Sequence, residues 1–185
     1  MLCENLLYGS APIPEMLNGE DHYAYLLGYE DGTVRPNGSI SRAEVATVLF
    51  RLLKDDVRMQ NLTKDNAYSD VSDTAWYAAA VSTLSKMGVI SGYPDGTFRP
   101  NEAVTRAQAA VMLYGYAAFT GADVTARADL SAYSDAGQIP SWAMDAMQWA
   151  NARRLIVGRD SSHLVPDGKT TRAEMAAILS AYIGK

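Results

Sequence analysis

The chain has 185 residues, 48% of them hydrophobic, and a formal charge of −5. That is enough apolar material for a packed core, and the acidic balance excludes general nucleic-acid binding, which needs a basic face. The single cysteine, Cys3, excludes an internal disulfide, and no apolar run reaches the ~20 residues of a membrane span.

In chain order, residues 1–17 (MLCENLLYGSAPIPEML) read as an upstream tail or linker. Three related segments follow. Residues 28–49 read GYEDGTVRPNGSISRAEVATVL, residues 92–113 GYPDGTFRPNEAVTRAQAAVML, and residues 158–179 GRDSSHLVPDGKTTRAEMAAIL. They align without gaps at offsets of 64 and 66 residues, and a fixed period of this size is the mark of a repeat architecture. The expected units are repeat one with its linker at 18–67, repeat two with its linker at 68–132, and repeat three at 133–185. Each is small for an independent core, so the three are expected to pack together.

In repeat one, residues 18–27 leave room for about two turns of helix before the loop. Its second helix carries the stripe Val45, Val48, Leu49, Leu52 and Leu53, at i, i+3, i+4, i+7 and i+8. Repeat two opens with Asp and Ser residues that suit helix capping, among them Asp70. The expected helix at 74–87 places Trp76, Ala80, Leu84 and Met87 on one face and ends at Gly88. Tyr93-Pro94-Asp95-Gly96 is a turn, and Phe98 is expected in the core. The next helix carries Ala109, Met112, Leu113, Tyr116 and Ala117. In repeat three, Trp142 corresponds to Trp76 and Asp135 to Asp70, while Arg154 stands in place of Gly88, a poor residue for a left-handed cap. The matching stripe is Met175, Ile178, Leu179, Tyr182 and Ile183. The resulting unit is helix, loop, helix, and the fold is mainly α. Segments 54–67 and 118–132 read as linkers or extensions of the preceding helices.

The second helices open with Ser41-Arg42-Ala43-Glu44, Thr105-Arg106-Ala107-Gln108 and Thr171-Arg172-Ala173-Glu174. Ser or Thr followed three residues later by Glu or Gln is a capping box. It accounts for Ser41, Glu44, Thr105, Gln108, Thr171 and Glu174. The arginines have no such reason, because a cation at a helix N-terminus opposes the macrodipole. They serve either in salt bridges and hydrogen bonds to loop carbonyls or, the reading preferred from the residues, as anion-binding forks beside free helix N–H groups. On that second reading Arg106→Ala leaves the melting temperature nearly unchanged.

The loop GYxDGTFRP followed by T-R-A-E resembles the S-layer homology repeat of bacterial surface proteins, and the resemblance covers roughly residues 18–183. It implies three repeats in a pseudo-threefold arrangement. It also implies non-covalent anchoring of an exported protein to the cell wall through an anionic secondary cell-wall polysaccharide, commonly one with a pyruvate ketal. Ligand grooves in that family lie between repeats, and the arginine of the motif contacts the polymer. Arg42, Arg106 and Arg172 are carried over on that basis, with the grooves of Arg42 and Arg106 favoured because Arg172 lies beside the divergent Ser161-Ser162-His163 loop. Trp76 and Trp142 either stack on sugar rings or fill the core. Gly28, Gly92 and Gly158 either allow close approach of a ligand or only permit the turn. Asp70 and Asp135 are helix caps first and sugar ligands second. As a wall protein the chain is extracellular and reads as a fragment without its signal peptide, with neighbouring surface-layer proteins as further partners. The rival reading is a protein-interaction module that has lost glycan binding.

Other chemistry lacks its residues. The Asp-Gly turns at Asp31 and Asp95 have too few oxygen donors for calcium. His22 and His163 lack zinc-site partners, and Cys3 lies outside the repeats. No enzyme, metal or cofactor is expected.

Overall fold

The computed structural model describes residues 15–17 and 28–184. The expected short helix at 18–27, His22 and Cys3 lie outside the described residues. Among the described residues the fold is mainly α, with no strand. The elements are α1 (Arg42–Leu52), α2 (Asp55–Asn61), α3 (Ala78–Lys86), α4 (Arg106–Phe119), α5 (Met144–Ala152) and α6 (Arg172–Tyr182), with 3-10 turns at Ala136–Gln138 and Ser141–Ala143.

The second helices of the three units, α1, α4 and α6, begin at their arginines, and each has a complete capping box. The hydroxyls of Ser41, Thr105 and Thr171 accept from the backbone N–H of Glu44, Gln108 and Glu174 at 3.2, 3.1 and 3.1 Å. The acid or amide side chain accepts in return from the cap N–H at 2.8, 3.0 and 2.7 Å. The stripes on α1 and α4 are buried throughout. On α6 Met175, Ile178 and Leu179 are buried, while Tyr182 and Ile183 pack partly exposed against the core.

The first helices differ from expectation. α3 starts at Ala78, so Trp76 lies in the turn before it, and its cap residue Tyr77 makes no side-chain cap bond. Asp70 is not a cap. Its two oxygens accept from the N–H groups of Phe98 and Arg99 at 2.8 and 2.7 Å, which ties the start of repeat two to its own loop. Asp135 does the same for Leu164 and Val165, at 2.8 and 2.7 Å. Part of the 54–67 segment forms the separate helix α2, packed on α3.

Helices pack across the repeat boundaries: α3 of repeat two on α1 of repeat one, and α5 of repeat three on α4 of repeat two. At the centre, three backbone bonds form a closed ring. Ile40 N–H donates to Thr170 O at 3.0 Å, Thr170 N–H to Val104 O at 2.9 Å, and Val104 N–H to Ile40 O at 3.0 Å. All three residues are fully buried, so each of these polar groups is satisfied only by a different repeat.

Candidate functional site: the inter-repeat grooves

The three arginines close a second ring around the first. Arg42 Nε donates to Phe98 O at 2.8 Å and its Nη2 to Ser91 O at 3.0 Å. Arg106 Nε donates to Leu164 O at 2.8 Å, and its Nη2 to Val157 O. Arg172 Nε donates to Val34 O at 2.9 Å. Repeat one therefore plugs the loop of repeat two, two plugs three, and three plugs one. The side chains are about 95% buried, at 6, 5 and 6% exposure. Burial pulls the Arg42 and Arg106 guanidinium pKa values below their usual value, partly opposed by nearby acidic groups.

This corrects the view that these arginines lack a structural role. Each donates to at least one carbonyl of a neighbouring loop, and for Arg42 and Arg106 one acceptor belongs to a fully buried residue, Phe98 or Leu164, that would otherwise lack a donor. The pairing of arginines and loops is corrected too. The divergent Ser161-Ser162-His163 loop goes with Arg106, and Arg172 goes with the well-matched loop of repeat one.

Groove one, at Arg172, is the larger of two hollows described, enclosing about 760 Å³. Its floor is Arg172, whose Nη1 meets Glu44 Oε1 at 2.6 Å. Tyr29 O–H donates to the same oxygen at 3.3 Å, and the Arg172 guanidinium sits 4.8 Å from the Tyr29 ring centroid. The loop supplies Gly28, Tyr29, Glu30, Asp31 and Arg35. Helix α1 supplies Ser41, Glu44, Thr47, Val48 and Arg51, and repeat two contributes Trp76. Arg35 pairs with Asp31 at 2.7 Å. The Thr33 hydroxyl, Arg35 and the Thr33 N–H hold the Asp31 carboxyl well below the ordinary carboxylate range.

Groove two is built around Arg42, with different residues at the matching helix positions, Gly115 for Arg51 among them. Gln108 occupies the place of Glu44, and its Nε2 donates to Tyr93 O–H at 2.9 Å. Among the described residues no carboxylate pairs with Arg42. In groove three Arg159 replaces the loop tyrosine. It lies 3.2 Å from Glu174, whose carboxylate is also 3.7 Å from Arg106.

Trp76 and Trp142 are 66 and 59% exposed, so neither is a core residue. Trp76 stands edge-on to Tyr77 at 5.2 Å and lines groove one. Trp142 lies in the 3-10 turn before α5, and that turn packs on α4. The core tryptophan is Trp149, 1% exposed, whose Nε1 donates to Asp123 O at 3.2 Å.

Packing leaves little room for a side chain at Gly92 or Gly28. Gly92 does not need a positive φ; a Cβ there would come within 2.3 Å of Tyr68 and 2.5 Å of Thr97 O. Gly28 has Thr33 O at 3.0 Å from its would-be Cβ. The left-handed turn positions are Gly32 and Gly96. Sequence reasoning missed Arg51, Tyr29 and Tyr93. Arg51 was legible in principle, seven residues after Glu44 on one helix face.

Among the described residues no group of three His, Cys, Asp or Glu could hold a metal, and no helix is long and apolar enough to cross a membrane.

The chain is similar to "Cell surface glycoprotein 1" of Acetivibrio thermocellus, 32% identical over 172 residues, covering 91% of the chain and 7% of that protein. It is 28% identical over 174 residues to the "Cellulosome-anchoring protein" of the same organism, covering 91% of the chain and 37% of the relative. A third relative, "Amylopullulanase" of Thermoanaerobacterium thermosulfurigenes, is 31% identical over 160 residues, 85% of the chain and 8% of that protein. The chain thus spans a minor part of each of these relatives. The family profile of the S-layer homology domain matches residues 25–46, 67–110 and 132–176, the segments that carry the loops, the plugging arginines and the capping boxes, and the chain belongs to that family.

Proposed function

We propose that the chain anchors a larger surface protein non-covalently to the bacterial cell wall, by holding an anionic secondary cell-wall polysaccharide in the grooves between repeats. A polymer bearing pyruvate ketals fits this reading, because a ketal carboxylate suits a guanidinium fork. The observation that carries it is groove one, an open cleft shared by three repeats and walled by an exposed tryptophan. An aromatic face of this kind suits a sugar ring, and the polar floor offers donors and acceptors for hydroxyls. The family and the anchoring relative point the same way. On this reading the protein works at the cell surface, and catalysis in the named relatives belongs to other parts of those chains.

The test is co-sedimentation with purified cell-wall sacculi of the source organism, before and after the secondary polymer is stripped by acid. Binding should disappear on stripping. Trp76→Ala should weaken binding severalfold with the melting temperature nearly unchanged, since Trp76 is two-thirds exposed. Equal pelleting with stripped walls would defeat the polymer reading.

A second reading, a protein-interaction module, draws on the burial of Arg42, Arg106 and Arg172, which are occupied within the fold. No pelleting with intact walls would favour it.

A further inference from the structure

We infer that groove one recognises the anionic group of its ligand through Arg51, and not through the arginine of the capping tetrapeptide. The inference rests on the wall-polymer reading above and names the residue that would give it charge selectivity.

Charge accounting in the groove leads to Arg51. Arg172 is neutralised at 2.6 Å by Glu44 and spends its Nε on Val34 O. Arg35 is neutralised by Asp31 at 2.7 Å. Of the three lining cations, Arg51 is therefore the one with no carboxylate paired to it among the described residues. The remaining lining carboxylate, Glu30, is exposed on the loop.

Position supports the same conclusion. Glu44, Thr47, Val48 and Arg51 follow one another on a single face of α1, and all four line the groove. Arg51 is half-buried in the last turn of the helix. Trp76 lies on the same cleft. A sugar ring against Trp76 would carry its acidic substituent to Arg51 without displacing Glu44 from Arg172. The other two helices cannot do this, because the matching positions are Gly115 and Ala181. Gly115 cannot be replaced freely, since a Cβ there would come within 2.6 Å of Val89 O.

An arginine in a last helical turn also complements the helix dipole. The test must separate that role from ligand recognition. Wild type and Arg51→Gln are compared for binding to sacculi in three states: untreated, carboxylates amidated with carbodiimide and glycinamide, and polymer-stripped. Melting temperatures are measured alongside.

Arg51→Gln should bind untreated walls about tenfold more weakly, as expected for one lost charge-assisted contact, and should melt within a few degrees of wild type. If the anion is a carboxylate, amidation weakens wild type to the level of Arg51→Gln and leaves the variant unchanged. If it is a phosphate, amidation changes neither, and the gap between the two proteins persists. Equal binding of the two proteins to untreated walls overturns the assignment to Arg51 while leaving polymer anchoring intact. Failure of wild type to bind untreated walls overturns both.

Discussion

The loops at 92–100 and 158–166 share only their first glycine and final proline, yet they are built alike. Asp70 clamps two successive N–H groups of one, and Asp135 clamps the matching pair of the other. Arg42 and Arg106 fill the two loops from neighbouring repeats. The residue before the proline takes a positive φ in both, 57° at Arg99 and 54° at Val165. For a β-branched valine that is a strained conformation, held by the clamp and the plug together. What differs is the contents. Tyr93 lies 5.0 Å from the Arg42 guanidinium in one groove, and Arg159 pairs with Glu174 in the other. The backbone of a repeat is thus maintained by a few polar contacts, and its groove chemistry varies around them.

Four sets of substitutions would break or sharpen that comparison. The largest effect is expected from the plugs. Arg42→Ala and Arg106→Ala should each cost about 3 kcal/mol in denaturant unfolding, because each removes the donor to two loop carbonyls, one of them on a fully buried residue. Similar losses would show that the two loops depend equally on the plug, and an unchanged unfolding midpoint would return these residues to a purely ligand-binding role.

The clamp comes next. Asp135→Ala should cost about 2 kcal/mol near neutral pH. Burial pushes the Asp135 carboxyl pKa up, but the N–H groups of Leu164 and Val165 outweigh it and hold it below its ordinary value. Its stabilisation is therefore present above the unfolded pKa of about 3.9 and fades as pH falls through the lower folded value. The gap between wild type and variant should close in acid, and a constant gap would point to packing instead.

The caps of the first helices give a smaller contrast. Gly88 has φ 72° and Arg154 has φ 57°. Gly88→Ala should destabilise by up to about 1 kcal/mol through backbone conformation alone. A Cβ on Gly88 would touch nothing within 4 Å, so a much larger loss would contradict that explanation. Smallest of all, Arg159→Tyr should change stability by less than about 0.5 kcal/mol, as expected if groove contents vary independently of the backbone. A loss as large as that of the plug would show that the third groove needs its arginine to fold.

The second helix of each unit was legible because its signals are local. A 3.6-residue period and a capping box lie within a dozen residues of one another. Phe98 in the core and the awkward cap at Arg154 were legible for the same reason. The role of the arginines was not, because their acceptors are distant in sequence: 56 residues for Arg42, 58 for Arg106 and 138 for Arg172. Asp70 misled similarly. An Asp beside Ser ahead of an Ala-rich run has the composition of a cap, but its partners are 28 and 29 residues downstream. Exposure of the tryptophans could not be read from their spacing either. Starting α3 at Ala78 moves Trp76 off the buried helix face, whereas Trp149, with no repeat to advertise it, fills the core.

The central ring of backbone bonds sets this chain apart from stacked solenoids. A linear array can be lengthened or trimmed at its ends, since each unit leans only on its neighbours. A ring that joins Ile40 to Thr170 and Thr170 to Val104 has no end at which to add a copy, and loss of any copy exposes groups on both of the others. Closure also waits for the last repeat to be synthesised, because the contact spans most of the chain and is entropically expensive to form early. Copy number is therefore a property of the geometry, and changing it would require a new centre.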